Sequence, residues 1–222
     1  MPLNISKLGK VLKSLNRLES VSFNTSLPVK VEVKKELNPI TYQIKLGNRE
    51  VETKSHMKLE VGKTYFAQIK ELKNSIQITN LKEYPKILKT LEHISVKELT
   101  PQKDEIISHL ANAKTKEEFL FLTNILIAYE KKIFHLVINE KRKGFMQYKY
   151  SKNKVKFYAC FSNLGELEGE ITENSLTICS PYDATLSLIN HYKDDLPLKV
   201  YTHKKEVKPI YVFSNSLLDL KV

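Results

Sequence analysis

The chain has 222 residues and a formal net charge of +11, with 41% hydrophobic and 27% charged residues. This composition is typical of a folded protein, and the length allows one large domain or, as we expect, two small ones. No apolar run approaches the roughly 20 residues that a membrane span requires, and the opening MPLNISKLGK lacks the apolar core of a signal peptide. The sequence therefore predicts a cytoplasmic protein without stable membrane insertion.

The positive charge is concentrated in the first half of the chain. Residues 1–100 carry 18 Lys and Arg against 10 Asp and Glu, whereas residues 101–222 carry 18 against 15. A basic protein favours anionic partners, but the lysines stand singly between apolar residues, which is more typical of solvated faces. Cys160 and Cys179 lie in apolar, strand-like runs and are predicted to be reduced, core-type thiols.

Residues 1–26 are predicted to form an amphipathic helix. Apolar residues recur at helical spacing and lysines fall between them, so one face can pack on a domain or on a partner. The apolar positions are Ile5, Leu8, Val11, Leu12, Leu15 and Leu18.

Residues 27–82 alternate between apolar and polar positions, which predicts short strands. Five such segments are separated by turn residues, and Gly47-Asn48 is suited to a two-residue hairpin turn. Because a flat sheet of this size would leave exposed edges, the segment is predicted to form a small β-barrel-like domain.

Residues 83–114 are predicted to be a helical connection and residues 115–222 an α+β domain. The sequence TKEE from Thr115 to Glu118 is a capping box, and the helix that it begins should run to about Lys131. Strand-like segments follow, then the helix YDATLSLINHY and one or two strands, LKVYTH and PIYVF. The fold class is therefore predicted as α+β, with a mainly antiparallel sheet and helices packed on one of its faces.

The segment KVKFYACFSNLGELEGEI predicts a β-hairpin that folds back around Asn163. In the register that keeps the apolar residues together, Val155 lies opposite Ile171 and Phe157 covers Gly169. The other face would place Tyr158 opposite Glu168 and Lys156 opposite Glu170, so that the row of Glu166, Glu168 and Glu170 forms the wet side of the hairpin.

Gly165 is predicted to occupy a bulge or a turn with positive φ. Such a turn would aim Leu164 outward or across the sheet, and an exposed leucine beside acidic residues is a plausible docking point. A divalent cation between the glutamates is not expected, because residues on the same face of a strand are about 6.5–7 Å apart.

The same stretch resembles the C-terminal domain of the bacterial flagellar hook-length control protein family. A strand, LGELEGEI, the strand SLTICS and a helix with spaced leucines follow one another over about residues 154–200, and Leu164, Gly165 and Leu167 are the closest correspondences. The resemblance implies a non-enzymatic role in type III flagellar export. The implied partner is the cytoplasmic domain of a membrane export-gate protein.

Carried over to this chain, Leu164, Gly165 and Leu167 would shape the contact surface, and the adjacent Glu166 and Glu168 would complete the predicted partner-binding site. The chain departs from that family because it lacks the long Pro/Thr/Gln-rich middle that measures length. A shorter export or assembly factor, cytoplasmic or itself exported by the flagellar apparatus, is therefore the expected function.

The alternative is a protein that binds single-stranded nucleic acid through an OB-like barrel. Its motivation is the basic first half together with aromatic residues on which bases could stack. The candidate nucleic-acid-binding residues are Tyr42, Lys45, Arg49, Tyr65 and Lys70.

No catalytic residues, cofactor or metal site are predicted. The chain contains no GxxxxGK[ST], GxGxxG, HExxH or GxSxG stretch, and its six histidines have no ligand-like spacing. An enzyme with an unrecognised site remains the third and weakest hypothesis.

Overall fold

The computed structural model describes residues 27–55, 57–72 and 75–215, and the predicted N-terminal helix lies outside this part of the chain. The described chain forms two sheets with four α-helices, so the mixed α+β class is confirmed. No helix in these ranges is both long and apolar enough to cross a membrane.

The first sheet is antiparallel and has the strand order β3-β2-β1-β4-β5. Gly47, with φ +58°, and Asn48 form the tight turn that was predicted between β2 and β3. The strands are β1 (Val29–Asn38), β2 (Thr41–Leu46), β3 (Arg49–Lys54), β4 (Thr64–Leu72) and β5 (Ser75–Glu83).

The predicted barrel is not confirmed, because this sheet does not close. Some Cα atoms of the edge strands β3 and β5 approach within 8 Å, but no hydrogen-bonded ladder joins the two strands in the described ranges. Arg49, Glu50, Glu52 and Lys54 are exposed along β3, and charged side chains of this kind protect an open edge without closure.

The second sheet has seven strands in the order β12-β11-β10-β9-β8-β7-β6. All neighbouring strands are antiparallel except β11 and β12, which pair in parallel. Its strands are β6 (Glu98–Leu99), β7 (Phe134–Asn139), β8 (Lys143–Ser151), β9 (Lys154–Phe161), β10 (Gly165–Ile171), β11 (Ser175–Ser180) and β12 (Lys199–Lys204). The helices are α1 (Lys86–His93), α2 (Lys103–Ala111), α3 (Lys116–Glu130) and α4 (Asp183–His191), with a 3-10 helix at Lys193–Asp195.

Helices pack on both faces of this sheet, so the prediction of one covered face is wrong. Met146 belongs to the apolar cluster that contains Leu188 of α4, whereas its neighbour Phe145 belongs to the cluster that contains Leu88 of α1 and Phe121 of α3. Because adjacent residues of a strand point to opposite faces, α4 and the other helices lie on opposite sides. The parallel pairing of β11 with β12 requires a crossover connection, and α4 supplies it.

The predicted start of α3 is confirmed for the threonine half of the capping box, whereas Glu118 reaches back to the N–H of Lys114, the residue before the N-cap. Thr115 Oγ1 accepts a hydrogen bond from the Glu118 N–H at 3.1 Å, as in an N-cap. The Glu118 carboxylate accepts from the Lys114 N–H at 3.0 Å and from Ser95 Oγ at 2.6 Å, which ties α3 to the loop after α1. The stretch predicted as a connection is therefore also part of the second unit's core.

After β12 the chain crosses the α1–α3 face of the sheet without regular secondary structure, and we call this segment the strap (residues 205–215). The sequence predicts one or two terminal strands, LKVYTH and PIYVF; LKVYTH corresponds to β12, whereas PIYVF contains no β-strand. The Lys205 N–H still donates to the Ser180 carbonyl of β11 at 3.1 Å, but beyond it side chains bind the backbone of Lys208, Tyr211 and Ser214.

Candidate functional site

The hairpin of β9 and β10 has the predicted register. Val155 pairs with Ile171, Phe157 with Gly169, Tyr158 with Glu168 and Lys156 with Glu170. The Phe157 ring lies so close to Gly169 that a Cβ atom built there would be 3.0 Å from it. The expectation that an aromatic ring covers this glycine is confirmed.

Gly165 has φ +75°, as predicted for a turn residue. A Cβ atom at this position would lie 2.5 Å from the Tyr182 ring, so both backbone conformation and space require glycine. The turn directs Leu164 inward rather than outward.

The prediction that Leu164 is an exposed docking residue is wrong, because Leu164 and Leu167 are both 0% exposed. They belong to the apolar cluster beneath α4, and the Leu164 carbonyl accepts a hydrogen bond from Thr185 Oγ1 of that helix at 2.8 Å. Gly165 is buried as well. The three residues that carry the family resemblance hold the hairpin against α4 and offer no contact surface.

The glutamate row faces the strap and the helices, so its description as the wet side is wrong for two of its three members. Glu166 is half-buried and accepts a hydrogen bond from Tyr158 Oη at 2.6 Å. The side chain of Glu168 is 22% exposed and is bound by Lys205 Nζ at 2.7 Å and by the Lys208 N–H at 3.1 Å, both in the strap. Glu170, which pairs with Lys154 Nζ at 2.7 Å, has a side chain that is 37% exposed and so remains in contact with water.

Burial raises the pKa of the Glu166 carboxyl, and the hydrogen bond from Tyr158 opposes part of this rise. The Tyr158 hydroxyl, itself buried, has a raised pKa for the same reason. This pair forms a polar spot on the sheet face that also carries Phe145 and Gln147.

An apolar cleft of about 590 Å³ opens beside this pair. Its walls are α1, α3, the strap and the sheet face that carries Phe145 and Tyr158. The residues that line it include Pro85, Lys86, Ile87 and Thr90 from α1 and its start, Lys116, Glu117, Leu120, Phe121 and Asn124 from α3, Gln147 and Glu166 from the sheet, and Tyr211, Val212 and Asn215 from the strap.

Two buried side-chain amides clamp the strap. Gln147 accepts from the Tyr211 N–H at 3.0 Å and donates to the Tyr211 carbonyl at 2.8 Å. Asn124 binds Ser214 in the same way: it accepts from the Ser214 N–H at 2.9 Å and donates to the Ser214 carbonyl at 3.2 Å. Each amide thus satisfies both backbone groups of one residue, as a neighbouring β-strand would.

The clamp residues were not predicted as functional. One sequence feature indicates them: each is a polar residue inside an apolar run, FLFLTNILIAY for Asn124 and FMQYKY for Gln147. Because a buried amide requires hydrogen-bond partners, such a residue implies a bound polar group, although the sequence does not say which.

The structure brings only some of the candidate nucleic-acid-binding residues close to one another. Tyr42 is 0% exposed and its hydroxyl accepts from the Leu59 N–H, so it fills the core of the first sheet and offers no ring for stacking. Tyr65 is half-buried and its hydroxyl accepts from the Glu60 N–H.

Lys45 and Arg49 lie on adjacent strands, but the face of Lys45 is not uniformly basic. Its cross-strand neighbours are Glu32 on β1 and Glu50 on β3. The side chain of Lys70 lies outside the described part of the chain.

Other chemistry is sparse in the described ranges. No cluster of three His, Cys, Asp or Glu side chains there could hold a metal ion. Cys160 is buried, Cys179 is half-buried, and both are free thiols.

Comparison with known proteins gives no relative for this chain: no protein-family model, no curated protein and no solved structure matches it.

Proposed function

We propose that this protein is a non-enzymatic interaction factor of bacterial flagellar type III export, and that it binds an extended apolar segment of an export-apparatus protein in the cleft. The observation that carries the proposal is the cleft itself, which combines apolar walls with a few polar groups. Preformed grooves of this kind bind extended peptides by burying their side chains and pairing their backbone.

The strap supports this mode of binding. Its presence means that the α1–α3 face can hold a chain segment without regular secondary structure whose backbone groups are paired by side-chain amides. Next to it, Leu120 is half-buried and Val212 is 76% exposed, so apolar surface at the cleft remains open to solvent. An extended segment beside the strap would cover that surface.

The setting in flagellar export rests on the resemblance over residues 154–200. The strand, the LGEL turn, the second strand and the leucine-bearing helix correspond to β9, the start of β10, β11 and α4. Since Leu164 and Leu167 serve packing, we move the proposed contact surface from these residues to the cleft. The proposed partner is still the cytoplasmic domain of an export-gate component, which places this chain on the cytoplasmic side.

Nucleic-acid binding has less support. Tyr42 is buried and the face of β2 places Lys45 beside Glu32 and Glu50, so neither a stacking platform nor a basic groove is formed by these residues. A salt titration tests this alternative: binding to single strands that weakens steeply as salt rises would favour it over the export function.

The test of the proposed function is binding of the purified export-gate cytoplasmic domain to matched helix variants. Leu120→Glu places a charge in the cleft, whereas Phe119→Glu places the same charge at an adjacent residue that is 41% exposed and does not line the cleft. We expect Leu120→Glu to weaken binding at least tenfold and Phe119→Glu to leave it within twofold of the unsubstituted chain.

A strain that lacks the gene should show impaired motility. Absence of binding by the unsubstituted protein, together with normal motility of the deletion strain, would exclude the proposed function. Equal loss of binding in both variants would show that the contact surface is not the cleft.

A further inference from the structure

We propose that residues 216–222 of this chain bind in the cleft as an internal occupant, which a partner must displace. The seven residues read SLLDLKV and follow directly on the strap. Occupancy of the cleft stands on the geometry alone, whereas its regulatory meaning rests on the proposed function.

The course of the strap delivers these residues to the cleft. Ser214 is held on α3 by two hydrogen bonds with Asn124, and Asn215 is itself a lining residue. The last described residue therefore lies at the cleft, directly after the clamped Ser214.

The length of the segment matches the space that remains. From Asn124, the cleft continues along α3 to Lys116, a distance of about 12 Å at a helical rise of 1.5 Å per residue. Seven extended residues span at most about 25 Å. The segment can therefore reach the far end of the cleft.

The chemistry of the segment also matches. Leu217, Leu218 and Leu220 supply apolar side chains for walls that include Leu120 and Ile87. An apolar surface of this kind is the natural site for them.

Each of the two charged residues of the segment can meet a side chain of opposite charge at the cleft. Lys86 and Lys116 are exposed lining residues, and either can pair with Asp219; Glu117, also exposed, can pair with Lys221. The competing occupant is segment 1–26, whose lysines would meet these same two lysines. Leu27, the described residue next to that segment, packs on the apolar cluster beneath α4 rather than at the cleft.

The consequence for function is competition in cis. A segment attached to the same chain has a high effective concentration at its site. It can therefore occupy the cleft even if its intrinsic affinity is low, until a partner segment with a higher affinity displaces it. Removing the leucines should then raise the affinity for the partner.

The experiment compares the full chain with its variant Leu217→Ser/Leu218→Ser/Leu220→Ser by two-dimensional amide NMR. We expect the amide resonances of Thr90, Leu120 and Val212 to shift in this variant. In the control variant Leu37→Ser, an exposed leucine that does not line the cleft, they should stay unchanged. A fluorescent SLLDLKV peptide should bind to the leucine variant and at least tenfold more weakly to the unsubstituted chain.

Unshifted cleft resonances in the leucine variant would overturn the proposal. So would shifts that occur only on substitution of Leu8, Leu12 and Leu15, because these would identify segment 1–26 as the occupant. Shifted resonances and peptide binding without any binding of the export-gate domain would leave the internal occupant established and remove the proposed function.

Discussion

At the scale of single residues, Gly169 shows how tightly the hairpin is packed. A Cβ atom there would lie 1.9 Å from the Thr177 carbonyl oxygen on β11 and 3.0 Å from the Phe157 ring. The first contact involves the backbone of the neighbouring strand, which cannot move without breaking the ladder between β10 and β11. The absence of a side chain at this position is therefore a requirement of the sheet.

Gly169→Ala should be strongly destabilising. We expect a loss of about 3 kcal/mol in the free energy of unfolding, at the upper end of the range for overpacking, measured by urea denaturation. Gly62→Ala is the matched control, because Gly62 has φ +83° but no atom lies within 4 Å of its Cβ position. Strain alone should cost the control about 1–2 kcal/mol, and an equal loss in both variants would contradict the steric argument.

His135 is the second residue with an unusual environment. It is 1% exposed, neither ring nitrogen has a hydrogen-bond partner in the described part of the chain, and the rings of Phe145, Tyr211 and Phe213 surround it. Burial lowers the pKa of His135 to about 3, because a charged imidazolium would be poorly solvated there.

This histidine should make the protein sensitive to acid. The unfolded chain binds a proton at His135 below about pH 6.5, whereas the folded protein does so only near pH 3. Stability is therefore fully present above about pH 6.5 and falls by up to about 1.4 kcal/mol per pH unit below it.

Denaturation curves of His135→Phe between pH 7 and pH 4 test this expectation. The variant should lose stability with falling pH less steeply than the unsubstituted protein, while His93→Phe, at an exposed histidine, should keep the original slope. Parallel slopes in all three proteins would show that His135 is not the source.

At the scale of elements, sequence reasoning succeeded where the interactions are local. The register of β9 with β10 follows from alternation and from one glycine, and the start of α3 follows from Thr115 and Glu118. It failed at Leu164 because alternation shows which residues share a face but not what covers that face. A strand whose glutamates lie beneath the strap has the same alternation of apolar and polar residues as a strand whose glutamates face water.

The strap was beyond sequence reasoning for a related reason. Its clamps join residues 64 and 90 positions apart, Gln147 with Tyr211 and Asn124 with Ser214. Alternation in PIYVF predicts a strand, whereas the chain bends at Ile210 and Tyr211, and no local pattern distinguishes a strand partner from a side-chain amide.

Gln147→Met tests the strap as an element. The substitution keeps the length of the side chain and removes both hydrogen bonds to Tyr211, which leaves a part-buried N–H and carbonyl unpaired at a cost of about 1–3 kcal/mol. We expect loss of stability and faster proteolytic cleavage within residues 205–215. Asn190→Ala removes a side-chain amide that is hydrogen-bonded to Thr202 at the exposed surface, and it should leave both measurements within about 0.5 kcal/mol and twofold of the unsubstituted protein.

At the scale of the whole molecule, the two sheets share an apolar cluster. Phe66 of β4 is 0% exposed, and its ring lies 4.6 Å from that of Tyr84 and 6.2 Å from that of Tyr182. These rings belong to the cluster that also holds α1, α3 and the second sheet. Ion pairs such as Lys30 with Glu92 also link the units, but exposed pairs contribute only about 0–1 kcal/mol.

The two units should therefore unfold together, and Phe66 should be the residue that couples them. Phe66→Ala is expected to remove about 3–5 kcal/mol and to divide a single calorimetric transition into two, with the first sheet melting at the lower temperature. Ile44→Ala removes a side chain from the first sheet's own cluster and leaves the shared cluster intact. It should lower the melting temperature and keep one transition, because the aromatic contact between the units persists. Two transitions in the unsubstituted protein would mean that Phe66 does not couple the sheets and that the cleft-bearing unit folds independently of the sheet that precedes it.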